Sequence, residues 1–495
     1  PDSYEEINNF YTVTVYNKGA EVVRMLRHIV GNDQFRAATD LYFDRHDGHA
    51  VTTEEFVRAI EDANNLQLEQ FRLWYTQAGT PEVEVTSEYH AASSTAVLKL
   101  KQTCPATPGQ TRKQPFQIPV VVEAYDQSGK ILLPETTLSL TESSQEYEFT
   151  GVEARPVFSV LRDFSAPVKL DFRRNAEDEF VLMRFDSDPF NRWEGFQNQF
   201  KALMLDNIET PGHLTAETLP DKLIEALVDV FEDDDRALSA EILNLPSESY
   251  LASFCEPIDP HAIYTVRRAL RAVLAHRLEA EFLTTYQQNA VAGDYRIEPV
   301  DMGKRALRNQ CLWYLAELES ASNLATDQYH SSNNMTDSLA GLACLISTNS
   351  PNLESMLESF YQRWHAEPLV VDKWFSLQAM SPTKDAVEQV LALREHKAFS
   401  INNPNKVRAL LRTFAANNAS GFHRADGAGY QCIADAVLEL DSINPQSAAR
   451  LMGAFNRWRK YRPELAKKMK NQIERIYAQP GLSADVSELA SKALA

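Results

Sequence analysis

In the C-terminal half of the chain, a small polar residue followed by proline opens one amphipathic segment after another: Asp259-Pro260, Ser350-Pro351, Ser381-Pro382, Asn403-Pro404 and Asn444-Pro445. Proline breaks the interior of a helix, but it suits the first position, where its missing N–H would be unsatisfied anyway. The polar residue before it can cap the new helix. Each dipeptide therefore starts a helix and forbids a longer one. After Asp259-Pro260, the residues Ile263, Val266, Leu270, Val273 and Leu274 make one apolar stripe. Repeated helices with short connections predict an α-solenoid-like array over 174–495. No strict period recurs, which excludes a consensus-type repeat.

Two other regions precede it. Residues 1–81 read as helical after a short entry segment, with Val22, Val23, Leu26, Ile29 and Val30 at helical spacing. Thr52 and Glu55 form a capping box ahead of Phe56, Val57 and Ile60, and Gly79-Thr80-Pro81 is a strong stop. Residues 82–173 change character. Short β-branched runs appear at 82–86, 96–100, 118–124, 137–140, 158–161 and 168–172, separated by turn material such as Asp126-Gln-Ser-Gly129. That spacing predicts a small antiparallel β-sandwich. The fold class is thus mostly α with a small β-sandwich.

The chain has 495 residues, with hydrophobic and charged fractions of 44% and 24%, which are globular values. No apolar run reaches the roughly 18 residues that span a bilayer, so the chain is expected to be soluble, with no membrane partner. Net charge is −20, from 49 Lys and Arg against 69 Asp and Glu. Nucleic acid is excluded as a main partner, because phosphate binding needs excess cation. The basic run from Arg457 to Lys470 reads as a solvated helix face. Five scattered cysteines, none in C-x-x-C spacing, favour buried thiols in a reducing, cytoplasmic compartment. The chain opens at Pro1 inside what reads as an ordered element, so it is expected to continue a longer polypeptide.

No self-sufficient catalytic motif occurs: there is no H-E-x-x-H, G-x-S-x-G, P-loop or G-x-G-x-x-G. Asp44, His46, Asp47 and His49 resemble a metal cluster, but they read as a helix end running into the Gly48 turn. The acidic run Glu232–Asp235 lacks the spacing of a calcium loop and reads as a solvated turn.

The first segment is more specific. Asn8-Asn-Phe-Tyr11-Thr-Val-Thr-Val-Tyr16-Asn-Lys-Gly19 resembles the stretch that follows the zinc site in the bacterial aminopeptidase N family of gluzincin metallopeptidases. The likeness continues through Tyr42-Phe-Asp-Arg-His-Asp-Gly48 and Trp74-Tyr-Thr-Gln-Ala-Gly79-Thr-Pro81. It returns in Asn333-Asn-Met-Thr-Asp337, Asp372-Lys-Trp374-Phe and Asn402-Asn-Pro-Asn-Lys-Val-Arg408. The resemblance implies the helical end of a thermolysin-like catalytic domain over 1–81, then the β-sandwich, then the helical domain. The family's one zinc ion, its ligands and its G-A-M-E-N motif would lie upstream of Pro1, so this chain alone would be inactive and would hold no metal.

By the same resemblance, Tyr16 matches the family tyrosine that donates a hydrogen bond to the oxyanion of the tetrahedral intermediate. A phenol is ordinarily protonated at neutral pH and can donate, and a preorganised donor aimed at developing charge lowers the barrier by several kcal/mol. Asn8 and Tyr11 match residues lining the pocket for the substrate's first side chain, or else simply pack. Arg408, Gln446 and Arg450 sit where the family's helical domain faces the active-site cavity. An arginine there either meets a peptide carboxylate or bridges helices. The implied partners are peptide substrates and upstream domains of the same protein, with broad specificity favouring alanine, basic and other unbranched or apolar first residues. The rival reading is a non-catalytic scaffold whose sandwich and solenoid bind a protein partner.

Overall fold

The computed structural model describes residues 6, 11 and 13–495, which divide into two compact units, Pro1–Phe196 and Gln197–Ala495. Each is described by itself.

In the first unit, the helices α1 (Gly19–Val30), α2 (Asn32–His46), α3 (Thr53–Asn64) and the short α4 (Leu73–Thr76) precede the sheets. Within α1, Val22, Met25 and Leu26 are buried, whereas Val23 faces outward. The expected stripe is therefore rotated by one residue, with Met25 on the inner face. The capping box at α3 is formed: Glu55 Oε2 accepts from the Thr52 N–H at 2.8 Å, and Thr52 Oγ1 accepts from the Glu54 N–H at 3.3 Å. Arg72 clamps the end of this region, donating to both Glu54 and Glu61 at 2.8 to 3.0 Å. Such forked, charge-assisted bonds fix orientation as well as contributing energy.

Seven strands follow: β1 (Glu82–His90), β2 (Thr95–Thr103), β3 (Ile118–Tyr125), β4 (Ile131–Leu140), β5 (Ser144–Thr150), β6 (Val157–Val160) and β7 (Lys169–Phe172). They form a four-stranded sheet, β5-β2-β1-β7, and a three-stranded sheet, β4-β3-β6. The sandwich is not wholly antiparallel, since β1 and β7 run parallel, with Val83 opposite Leu170. Strand β5 escapes the sequence reading because its run, Ser-Gln-Glu-Tyr-Glu-Phe-Thr, is an edge strand with no fully buried position. The helices and sheets share one core, in which Met25, Ile60, Phe71 and Trp74 pack with Leu98, Phe116 and Ile118. Trp74 ties the two parts directly: its Nε1 donates to the Gln117 carbonyl at 2.9 Å, and its ring centroid lies 4.6 Å from that of Phe116.

The second unit is helical throughout its described elements. Helix Leu324–Ser331 packs on Met335–Ser347, Ala428–Asp441 on Pro445–Met452, and Pro463–Tyr477 on Ala484–Leu494. Their apolar faces join a core that includes Leu342, Phe375, Phe414, Tyr430, Ile433 and Val486. Three of the five polar–proline dipeptides cap helices as expected. Asp259 accepts from the N–H groups of His261 and Ala262, Asn403 from that of Asn405, and Asn444 from that of Ser447. The other two do not. Ser350-Pro351 leads through a turn into a helix beginning at Leu353, and Ser381-Pro382 through a longer turn into one beginning at Ala386. The basic run is also more than a solvated face, because Arg459 donates to the carbonyls of Ala493 and Leu494 at 2.6 and 2.7 Å. No helix among the described residues is long and apolar enough to cross a membrane.

Candidate active site

Tyr16 lies in a π-helical turn, Thr14–Lys18, that runs into α1. A π-turn carries one residue more per hydrogen-bonded loop than an α-turn, so it re-aims the side chains on it, and such turns concentrate at functional sites. The β-branched run Thr12-Val-Thr-Val15 is a sequence signal for it, since branched side chains crowd a regular helix. The Tyr16 side chain is 66% exposed and Tyr11 56%. Their rings sit 6.3 Å apart at 38°. Among the described residues the Tyr16 hydroxyl has no hydrogen-bond partner. Asn8 lies outside the described residues.

The residue that sequence reasoning missed is Lys18, at the end of the same turn. Its Nζ donates to the Gly79 carbonyl at 2.8 Å and stands 5.8 Å from the centre of the Trp74 ring. Burial lowers its pKa from the usual lysine value. The two segments with the strongest family likeness, around Tyr16 and around Trp74–Pro81, are thus joined by one half-buried ammonium. Gly79 is required there: its φ is +101°, and a Cβ would come within 2.8 Å of Cys104 Sγ. The Tyr16 turn is therefore anchored to the shared core through Lys18, Gly79 and Trp74.

Arg408, Gln446 and Arg450 all belong to the helical unit and are all exposed. Arg408 opens a second π-helical turn, Arg408–Arg412, and donates to Asn405 Oδ1 at 3.2 Å. Gln446 and Arg450 share one helix, Pro445–Met452, a single turn apart, so they point the same way. The Arg408 turn packs on helix Pro368–Ala379, and the Gln446 helix on Ala428–Asp441 and Ala484–Leu494. The structure pairs Gln446 with Arg450 and leaves Arg408 on a separate element.

Zinc fails the test of fit. Among the described residues no three His, Cys, Asp or Glu side chains are placed to hold a metal. His46 ends α2 with its ring 5.5 Å from that of Tyr42, and Gly48 turns the chain at φ +73°. The Asp44–His49 stretch is a helix end. In the acidic run, Asp235 caps the helix Arg236–Ile242 by accepting from the Leu238 N–H at 3.0 Å.

Comparison with known proteins gives these segments a context. Residues 1–75 match the peptidase family M1 domain, and residues 79–173 match a domain of unknown function (DUF3458) with an Ig-like fold. Residues 176–495 match the domain of unknown function DUF3458_C, described as ARM repeats. The chain belongs to this ARM-repeat family. It is 40% identical over 506 residues to aminopeptidase N of Escherichia coli (strain K12), a match that takes in 100% of this chain and 58% of that protein. Aminopeptidase N of Caulobacter vibrioides is 41% identical over 497 residues, with 100% and 57% covered. The chain thus spans less than three-fifths of the length of these relatives. A crystal structure of Legionella pneumophila aminopeptidase A, in complex with aspartic acid, superposes with a TM-score of 0.88 at 30% identity, covering 99% of this chain and 57% of that one. The whole chain resembles the C-terminal part of an M1 aminopeptidase, and its mostly helical fold with an Ig-like sandwich matches that part.

Proposed function

We propose that this chain is the C-terminal portion of a zinc-dependent aminopeptidase that removes N-terminal residues from peptides in the cytoplasm. Tyr16 would donate a hydrogen bond to the oxyanion formed at the scissile carbonyl. The observation that carries this reading is a tyrosine in a π-turn anchored by Lys18, exposed and with no hydrogen-bond partner for its hydroxyl among the described residues. A donor held in place before reaction costs no reorganisation when charge develops, which is why such groups are effective. Tyr11, alongside, would contribute its ring to the pocket for the first side chain, together with Asn8. Arg408, Gln446 and Arg450 would bind the peptide farther along, the guanidinium groups meeting carboxylate or carbonyl oxygens. The zinc ligands would be supplied by the rest of the catalytic domain to which residues 1–81 would belong, and no step assigned to the present residues passes through the metal. By itself the chain is expected to be inactive.

The test is Tyr16→Phe in the full-length enzyme. Zinc content and melting temperature should stay nearly unchanged while turnover falls by about 10² to 10³, with little change in KM. If the hydroxyl were instead a structural anchor, its loss would cost about 1 kcal/mol of stability with catalysis largely intact. Tyr11→Phe is the control, because only the ring of Tyr11 is given a role. Equal loss of turnover in both variants would reject the assignment to Tyr16, as would full activity in Tyr16→Phe.

A further inference from the structure

Within the helical unit, a cavity of about 380 Å³ opens beside helix Pro260–Arg277. Three arginines of that helix line it: Arg267, Arg268 and Arg271. Arg271 is 4% exposed, its guanidinium stacks 4.3 Å from the centre of the Trp313 ring, and its Nη2 donates to Ser347 Oγ at 3.1 Å. It also pairs with Glu317, whose other carboxylate oxygen is 3.5 Å from Arg268 Nε. One carboxylate therefore serves two guanidinium groups. Arg267 uses two of its five N–H donors on the carbonyls of Pro246 and Leu245, at 2.8 and 3.3 Å. Its acidic neighbour in the lining, Glu248, has its pKa raised by burial, against the pull of Arg267.

The count is three cations to two carboxylates, one of them biased toward its neutral form. Burial, with repulsion from Arg267 and Arg268, lowers the Arg271 pKa to about 10, still far above neutrality. Its buried Nε has no hydrogen-bond partner. A shortage of negative charge inside a chain of net charge −20 is local and specific. The rest of the lining combines the apolar side chains of Ile346, Leu377, Met380 and Pro382 with the polar Ser249, Tyr264 and Asn417. An adjoining recess of about 340 Å³ shares Arg268, Ser347 and Pro382 and adds Lys384 and Asp385, whose opposite charges leave the excess of cations unchanged. Excess guanidinium together with Trp313, Ile346, Leu377 and Met380 in one lining suits a ligand with a charged end and an apolar body. Inorganic phosphate would leave the apolar wall without a partner, and a neutral apolar molecule would leave the cations uncompensated.

We propose that this cavity binds a small amphipathic carboxylate, its anion at Arg267 and Arg268 and its apolar body against Trp313, Ile346 and Met380. None of the residues assigned to peptide hydrolysis lines this cavity, and its test does not depend on them. The probe is N-acetyl-L-phenylalanine, which has a carboxylate and an aromatic body but no free amine for an aminopeptidase to recognise. Isothermal titration of the chain should show saturable binding, at least tenfold weaker for the corresponding amide and weakened by added salt. Arg268→Gln, chosen because its side chain is 42% exposed whereas that of Arg271 is 5%, should weaken binding about tenfold or more. Met380→Trp should abolish binding by filling the space, and it serves alone if Arg268→Gln fails to fold. An acetylated tripeptide ending in phenylalanine separates two sources of the same chemistry. Comparable affinity assigns the site to peptide C-termini, and lost affinity to free small carboxylates. The proposal is overturned if acid and amide bind alike, if inorganic phosphate competes as well as the acid does, if both variants retain wild-type affinity, or if no binding is seen up to about 10 mM.

Discussion

His423 is a residue whose chemistry is set almost wholly by burial. It is 7% exposed, its Nδ1 shares a hydrogen bond with the Tyr430 hydroxyl at 2.9 Å, and its ring lies 4.7 Å from that of Tyr461. His261 Nε2 donates to its backbone carbonyl at 3.0 Å. Desolvation, with a smaller contribution from His261, pulls its pKa down to about 3. The folded-state pKa is depressed, so between it and the unfolded value near 6.5 the unfolded chain binds the extra proton. The stability this residue contributes is full above about pH 6.5 and is lost as pH falls toward 3. Urea titrations between pH 6.5 and 4 should show stability declining by up to about 1.4 kcal/mol per pH unit from this group. His423→Gln should remove that share of the slope, and an unchanged slope in the variant would show that His423 protonates within the folded state.

At the scale of elements, the family-like motifs in the helical unit turn out to be a packing device. Asp372, from Asp372-Lys-Trp374, stands 2.6 Å from Nζ of Lys406, from the Asn402–Arg408 motif, and Lys406 also donates to the Pro368 carbonyl at 2.8 Å. Lys406 is buried, with its ammonium 5.7 Å from the centre of the Phe375 ring. The pair locks helix Pro368–Ala379 to the helix that leads into the Arg408 π-turn. Removing one partner of a buried pair leaves a charge without compensation, a loss of about 3 to 5 kcal/mol. Lys406→Met should fall at the lower end, because Asp372 keeps some contact with water, and adding Asp372→Leu should recover part of the loss. Additive losses in the double-mutant cycle would mean the two side chains do not interact. The same scale shows what was legible in the sequence. Capping at Asp259, Asn403 and Asn444 could be read because an amide or carboxylate reaches the N–H two or three residues on. Ser350 and Ser381 carry the same proline signal, yet their helices begin two or more residues later, where tertiary packing decides the start. Family likeness singled out Tyr16 but not Lys18, because the partner of Lys18, Gly79, is 61 residues away and the contact is to a backbone oxygen. The arginine cavity was equally hidden: its lining comes from segments scattered between Ser247 and Asn417, and no local pattern joins them.

At the scale of the whole chain, we propose that residues 174–495 fold without the segment before them, although the first helices of that stretch are held from outside it. The compact division falls between Phe196 and Gln197, inside the helix Pro189–Asp206. The residues just ahead of that point bond to the sandwich. Asp186 is buried, accepts from the Tyr125 hydroxyl at 3.2 Å and pairs with Arg162. Asp188 accepts from the Asp163 N–H at 2.9 Å, and Asn191 donates to Ser159 Oγ at 2.7 Å and to the Val160 carbonyl at 3.1 Å. Asp178 accepts from Arg155 at 3.0 Å. A cut at residue 174 removes every one of these partners, but it leaves the helical core around Phe375, Phe414 and Tyr430 complete. The fragment should therefore melt cooperatively by circular dichroism. Hydrogen exchange should be fast over 176–190 and slow in the helix Ala428–Asp441. A second fragment beginning at residue 197 should melt within about 3 °C of the first, since the extra residues contribute little once the sandwich is gone. A broad, non-cooperative transition in the longer fragment would refute independent folding. A much higher melting temperature for it than for the shorter one would show that residues 174–196 belong energetically to the helical unit, with their bonds to the sandwich only secondary.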